Sequence, residues 1–235
     1  MPELLCKRMR YEILHQEAFP VVRCDLVRGE ALKAESDAMV AMSANLDVTG
    51  SMGNKGILGG LARKFLTGES FFFQVITASR GAGSVLLGHR APGGIVDVEL
   101  DGSYGMRVQK DGFLAAEQTV EVDTTMQNLS QGLFSREGFF VLNIKGKGIV
   151  FLSSFGAIHP INLEAGDEVI IDNGHLVAWP DYMHYTIEKA SSGWFSSIAS
   201  GESLVCRFRG PGTVLIQTRN PDSFSAWMRS LIGTN

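Results

Sequence analysis

The sequence predicts an all-β protein of about three similar units, closed into one compact domain, with one short helix at the C-terminus. Three observations carry this. One phrase, a turn with a single glutamate followed by an apolar run, recurs as Gly68-Glu69-Ser70-Phe71-Phe72, Arg136-Glu137-Gly138-Phe139-Phe140 and Gly201-Glu202-Ser203-Leu204-Val205. Each copy is answered by a glycine pair and a second apolar run: Gly81 and Gly83 before Val85-Leu86-Leu87, Gly146 and Gly148 before Ile149 to Leu152, Gly210 and Gly212 before Val214-Leu215-Ile216. Finally, 27 glycines without a collagen-like period, against 7 prolines, call for many tight turns and therefore many short strands.

Taken in order, the first strands are Tyr11–Leu14, Val21–Val27, Ala31–Glu35, Met39–Met42 and Asn45–Thr49, the last with the period of two of a half-buried strand. A Gly/Ser/Asn-rich loop follows over 49–56. Ile57, Leu58, Leu61 and Phe65 then fall at helical spacing, although Gly59-Gly60 costs about 0.8–1 kcal/mol per glycine relative to alanine, so such a helix needs something to pack on. Phe71–Ile76 and Val85–Leu87 read as a hairpin whose tip is the glycine pair, where positive φ is needed. Ile95–Leu100 alternates, and Asp101-Gly102 carries the chemistry of a second hairpin. Met106–Val108, Phe113–Ala116 and Thr119–Val122 follow. The next cycle repeats the design, with Phe139–Ile144 and Ile149–Leu152 as its hairpin, then Gly156–Ile161, Val169–Ile171, His175–Trp179 and Met183–Ile187 in strands.

The glutamates recur at 69, 137 and 202. Asp37, Asp111 and Asn173 each precede a segment ending in Val-Ala or Leu-Ala, so they align as well. This places units at about 11–66, 67–130 and 131–219 within a single domain spanning 1–235. Repeats of this kind bury their faces against one another, and closure avoids long open sheet edges. The tail departs from the pattern. Asn220 is an N-cap, Pro221 opens the helix, Asp222 suits its positive end, and Phe224, Trp227, Met228 and Leu231 lie at i, i+3, i+4, i+7. A helix over 221–232 follows, stopped by Gly233, with its apolar face covering a sheet edge or the mouth of the body.

Composition is that of a globular protein: 45% apolar, 20% charged, mean hydropathy +0.08. The net charge of −4 argues against a nucleic-acid partner, which favours a basic face. Cys6, Cys24 and Cys206 form no Cys-x-x-Cys and are odd in number, as in a reducing compartment. The N-terminus carries charges and no signal-like apolar core, and no apolar run is long enough to span a membrane. A cytoplasmic location is the expectation.

No constellation of catalytic residues stands out. Ser70 and Ser203 lie outside Gly-x-Ser-x-Gly. The glycine pairs do not match a phosphate-binding loop. The five histidines form no His-x-His pair, and a metal could assemble only from distant residues such as His175, His184 and Glu188; no cofactor and no metal is expected. Glu69, Glu137 and Glu202 are read as acceptors for backbone N–H groups at their own turns, and Gly83, Gly148 and Gly212 as turn residues. The bridges around Leu61, Phe65, Trp194 and Phe195 either plug the units or form an interaction surface for a partner or a membrane, with Arg63-Lys64 suited to anionic lipid.

Tyr11-Glu12-Ile13, Leu66-Thr67-Gly68-Glu69-Ser70, Gly174-His175-Leu176-Val177-Ala178, Gly210-Pro211-Gly212 and Gln217-Thr218-Arg219, with the threefold pattern, resemble the altered-inheritance-of-mitochondria family over about residues 11–219. The resemblance implies tandem double-stranded β-helix units, a fold similar to the tryptophan-RNA-binding attenuator protein. It brings no catalytic residues, and neither tryptophan nor RNA binding comes with it. The family's mitochondrial targeting segment is missing, which fits a bacterial protein. The resulting expectation is a non-enzymatic β protein acting through its surfaces as a homo-oligomeric scaffold or partner-binding module, with a place at the membrane periphery open to it and a cupin-like small-ligand or metal-dependent enzyme as the alternative.

Overall fold

The structure, a computed structural model, describes residues 9–51, 73–123, 141–189 and 204–232. They form eighteen strands in antiparallel sheets and one α-helix. The first strands are β1 (Arg10–Leu14), β2 (Val21–Leu26), β3 (Ala31–Glu35), β4 (Met39–Met42), β5 (Asp47–Ser51), β6 (Phe73–Thr77) and β7 (Gly83–Gly88). They are followed by β8 (Ile95–Asp101), β9 (Met106–Gln109), β10 (Phe113–Glu117), β11 (Val120–Asp123) and the long β12 (Val141–Ser153). The last are β13 (Ile158–Leu163), β14 (Glu168–Asp172), β15 (Leu176–Pro180), β16 (His184–Lys189), β17 (Leu204–Arg209) and β18 (Gly212–Gln217), before helix α1 (Pro221–Ile232).

The ladders recur along the chain. Strand β7 lies between β2 and β4, and β6 between β3 and β5. The second half of β12 lies between β8 and β10, its first half between β9 and β11. Strand β18 lies between β13 and β15, and β17 between β14 and β16. Even the irregularities match. The register breaks between Met39 and Ala41, Phe113 and Ala115, and Leu176 and Ala178, so Val40, Leu114 and Val177 hold the same place in the three groups. The ladders cross the boundaries expected near 66/67 and 130/131: β5 pairs with β6, and β11 with β12.

Two expectations about turns are overturned. The glycine pairs are not hairpin tips. Strands β6 and β7 pair with different neighbours, as do β17 and β18, and 141–153 is one unbroken strand that changes partners at Gly146–Gly148. Gly83, Gly148 and Gly212 stand opposite Leu26, Leu100 and Leu163 in the ladders. A Cβ would lie 2.9 Å from the Asn45 side chain at Gly83, 2.5 Å from Glu117 Oε2 at Gly148 and 2.5 Å from Met183 Sδ at Gly212. Glycine is used here because the chain bends from one sheet into the next against a neighbour. Asp101-Gly102 does turn, with Gly102 at φ +90° and Ser103 N donating to Asp101 Oδ1 at 2.8 Å. Its flanking strands β8 and β9, however, pair with different halves of β12 and not with each other.

Three apolar clusters fill the body. The first gathers Val22, Leu26, Leu32, Ile76, Val85 and Leu87; the second Leu100, Val108, Phe113, Val122 and Ile144; the third Ile171, Trp179, Cys206, Phe208 and Val214. Two seams join the groups. β10 pairs with β3, placing Ala115 opposite Ala34, and β15 pairs with β9, placing Ala178 opposite Val108. At each seam the bulged residue crosses over: Leu114 packs in the first cluster and Val177 in the second. Burying either side chain contributes about 1.5–3 kcal/mol. Cys24 and Cys206 are free and buried, and burial pushes both thiols up to about 12, so both are unreactive in the folded chain.

Helix α1 begins as its sequence requires. Asn220 Oδ1 accepts from Asp222 N at 2.9 Å and from Ser223 N at 3.2 Å. Among the described residues, it covers no sheet edge or mouth beyond its contact with Phe155. No residue of it is buried, and among the described residues its ring contact with the body is Phe224 edge-on to Phe155 at 5.1 Å. The rest of its apolar face is exposed, with Trp227 at 55% and Leu231 at 63%.

Candidate interaction surface

The seam geometry leaves two strands incomplete. In the seam between the first and second groups, β3 meets β10; in that between the second and third, β9 meets β15. The corresponding strand of the third group is β14, and of the first group β4. Each has one ladder partner among the described strands: β14 pairs with β17 and β4 with β7. The consequence is visible in exposure. Val40 is 60% exposed, whereas Leu114 and Val177 are at 0% and 1%. Met39 is also exposed, while Val169 and Ile170 on β14 are half-buried.

Edge strands are commonly protected by charge or proline. Most edges here follow that rule: β13 carries Pro160, β8 carries Asp97 and Glu99, and β1 carries Arg10 and Glu12. Among the described edge strands, β4 alone, Met39-Val40-Ala41-Met42, has neither. The sequence reading missed these residues. Their signal was an apolar four-residue strand with no charged member, which looks the same as a central strand until its neighbours are known.

The first seam is lined by a polar group. Glu35, at the end of β3, lies near Arg90, Asp111, Asp37 and Lys110, and burial holds its carboxyl above the usual range. Arg90 pairs with Asp111 at 2.9 Å. The His89 ring lies beside the backbone of Ala91 and Ser154, without a well-formed hydrogen bond to either nitrogen. Burial, and then the neighbouring Arg90, hold the imidazole below its ordinary value of 6.5. The folded state thus favours neutral His89. Its contribution to stability is present above pH 6.5 and lost as the pH falls below it, because the unfolded chain takes up the proton more readily. His89→Gln is expected to shrink the drop in urea midpoint between pH 7 and pH 5; an unchanged drop would place the acid sensitivity elsewhere.

The sequence-predicted residues fare unequally. Glu69, Glu137, Glu202, Leu61, Phe65, Trp194 and Phe195 lie outside the described residues. The segments that carry them do leave from equivalent ladders, after Ser51 opposite Phe73, Asp123 opposite Asn143, and Lys189 opposite Leu204. Gly83, Gly148 and Gly212 are structural. His175, His184 and Glu188 do not converge: His175 Nδ1 is 2.7 Å from the Gln217 carbonyl, and Glu188 is engaged by Arg207 Nε at 3.0 Å. Among the described residues no three His, Cys, Asp or Glu gather to hold a metal. No helix among them is long and apolar enough to cross a membrane.

Among the described residues, antiparallel sheets followed by one short C-terminal helix define an all-β protein. The chain belongs to the Mitochondrial biogenesis AIM24 family, whose profile matches residues 11–219. It is 31% identical over 239 aligned residues to an uncharacterized protein of Streptococcus pyogenes serotype M6, covering 99% of this chain and 95% of that one. It is also similar to the crystal structure of a Streptococcus pyogenes protein solved by a structural genomics consortium, with a TM-score of 0.79 and 32% identity over 95% of this chain and all of the other.

Proposed function

We propose that this protein is a non-enzymatic scaffold that acts in the cytoplasm by binding through its surfaces, as a homo-oligomer or with a protein partner. Its architecture on this reading is three tandem double-stranded β-helix units, of the kind seen in the tryptophan-RNA-binding attenuator protein, with no tryptophan or RNA site carried along. The observation that supports the reading is the unprotected β4 edge, with Val40 exposed where its two counterparts are buried. An apolar edge left in water favours association over solitary existence. The open apolar face of α1 adds a second contact surface, for a partner protein or a membrane. A cupin-like enzyme is less well supported, since Glu188 is committed to Arg207. Native mass spectrometry of protein purified gently from its host is the test: a mass above the 25.5 kDa single chain is expected, and a bare 25.5 kDa species at micromolar concentration would overturn the reading.

A further inference from the structure

We propose that β4 of one copy pairs with β14 of a second copy, head to tail, and that Val40 buries in the third apolar cluster of that second copy. This rests on the scaffold reading above and names its partner. The chain itself supplies the template twice. Glu35, Gln109 and Asp172 end equivalent strands, and each is followed six residues later by the alanine of the next edge: Ala41, Ala115 and Ala178. Ala115 faces Ala34, one residue before Glu35, and Ala178 faces Val108, one residue before Gln109. The residue before Asp172 is Ile171. The same offset therefore sets Ala41 of one copy against Ile171 of the next, and Met42 against Ile170.

The side chains fit that register. Leu114 and Val177 each enter the cluster of the preceding group, and Val40 is the third such residue, 60% exposed and in none of the three clusters formed by the described residues. The place of Ile170 is held in the other groups by Lys33 and Arg107. Lys33 Nζ donates across its seam to the Val120 carbonyl at 2.6 Å, and the Arg107 guanidinium lies over Tyr185 at 5.1 Å. Where those two place charged side chains, β14 places isoleucine, opposite a methionine. A half-buried isoleucine on an open edge is ill suited to water and well suited to Met42. Since the two edges differ, the contact is heterologous: it propagates into a ring or a filament instead of stopping at a twofold dimer.

The test uses the full chain in analytical ultracentrifugation. Val40→Asp blocks the β4 edge and Ile170→Glu the β14 edge. The wild type is expected above 25.5 kDa and each variant at 25.5 kDa, with its far-ultraviolet circular dichroism retained. Mixing the two variants in equal amounts restores one seam, since each brings the edge the other lacks, and yields a two-chain species. Val40→Leu, the side chain present at 114, keeps the wild-type assembly. A wild-type oligomer that survives Val40→Asp would overturn the β4–β14 contact and leave the scaffold reading standing. Variants that stay monomeric on mixing would overturn the head-to-tail arrangement. A monomeric wild type would sink both. Val40 is 60% exposed, so its replacement leaves the fold of the single chain intact and decides the matter even where Ile170→Glu does not fold.

Discussion

Trp179→Ala is expected to lower the melting temperature by roughly 6–20 °C. Trp179 is fully buried on β15, edge-on to Tyr185 at 5.2 Å and to Phe208 at 5.3 Å, while Tyr185 and Phe208 stack on each other at 5.5 Å. Removing such a side chain from a core costs about 3–5 kcal/mol through lost burial and the cavity left behind. In a chain of this length each kcal/mol moves the transition by about 2–4 °C. The position aggravates the loss, because Trp179 also stands opposite Arg107 in the β15–β9 ladder that joins the second and third groups. The control is Trp227→Ala on α1, where the indole is 55% exposed and the expected cost is within about 0.5 kcal/mol. Equal melting temperatures for the two variants would mean that the third cluster does not hold the body together.

The sequence was most informative where structure is decided locally. The α1 cap is one case: Asn220, Pro221 and Asp222 specify the helix start from three adjacent residues, and the bonds form as that chemistry dictates. Most strands lie within two residues of where periodicity put them, since alternation and turn residues are also local signals. Pairing is not local. Asp101-Gly102 forms its turn, yet its strands join different halves of β12, because the choice of partner is made by packing between residues far apart in the chain. The repeat shows the same limit. Aligning Asp37, Asp111 and Asn173 comes within one residue of the equivalence set by the bulges at Val40, Leu114 and Val177, where Asp111 corresponds to Gly174. The candidate surface was the least legible part. Val40 and Val177 are chemically identical, but one is 60% exposed and the other 1%, and among the described strands the second has a neighbour on the side where the first has none.

Gly93→Ala is expected to destabilise the protein by roughly 3–5 kcal/mol, read as a shift of the urea midpoint. A Cβ at Gly93 would overlap the Ser154 carbonyl oxygen, a backbone atom that cannot turn aside as a side chain can. The crowding has a purpose in the fold. Gly94 N donates to the Gly156 carbonyl at 2.8 Å, Ser154 N to the Gly94 carbonyl at 3.1 Å, and Gly156 N to the Pro92 carbonyl at 3.0 Å. Ser154 Oγ, buried at 1% exposure, closes the knot on the Gly156 carbonyl at 2.7 Å. These bonds tie the entry of β8 to the exit of β12, and so hold the second group shut. Overpacking alone costs about 1–3 kcal/mol, and each hydrogen bond broken as the segments part adds about 1 kcal/mol. Gly50→Ala provides the contrast. Its Cβ meets nothing within 4 Å, so the change is expected to be neutral or stabilising by a few tenths of a kcal/mol through the unfolded chain. If Gly93→Ala and Gly50→Ala unfold at the same urea concentration, the β8 and β12 segments must be free to separate at that point, and the close approach of Gly93 to Ser154 would not be what fixes the second group.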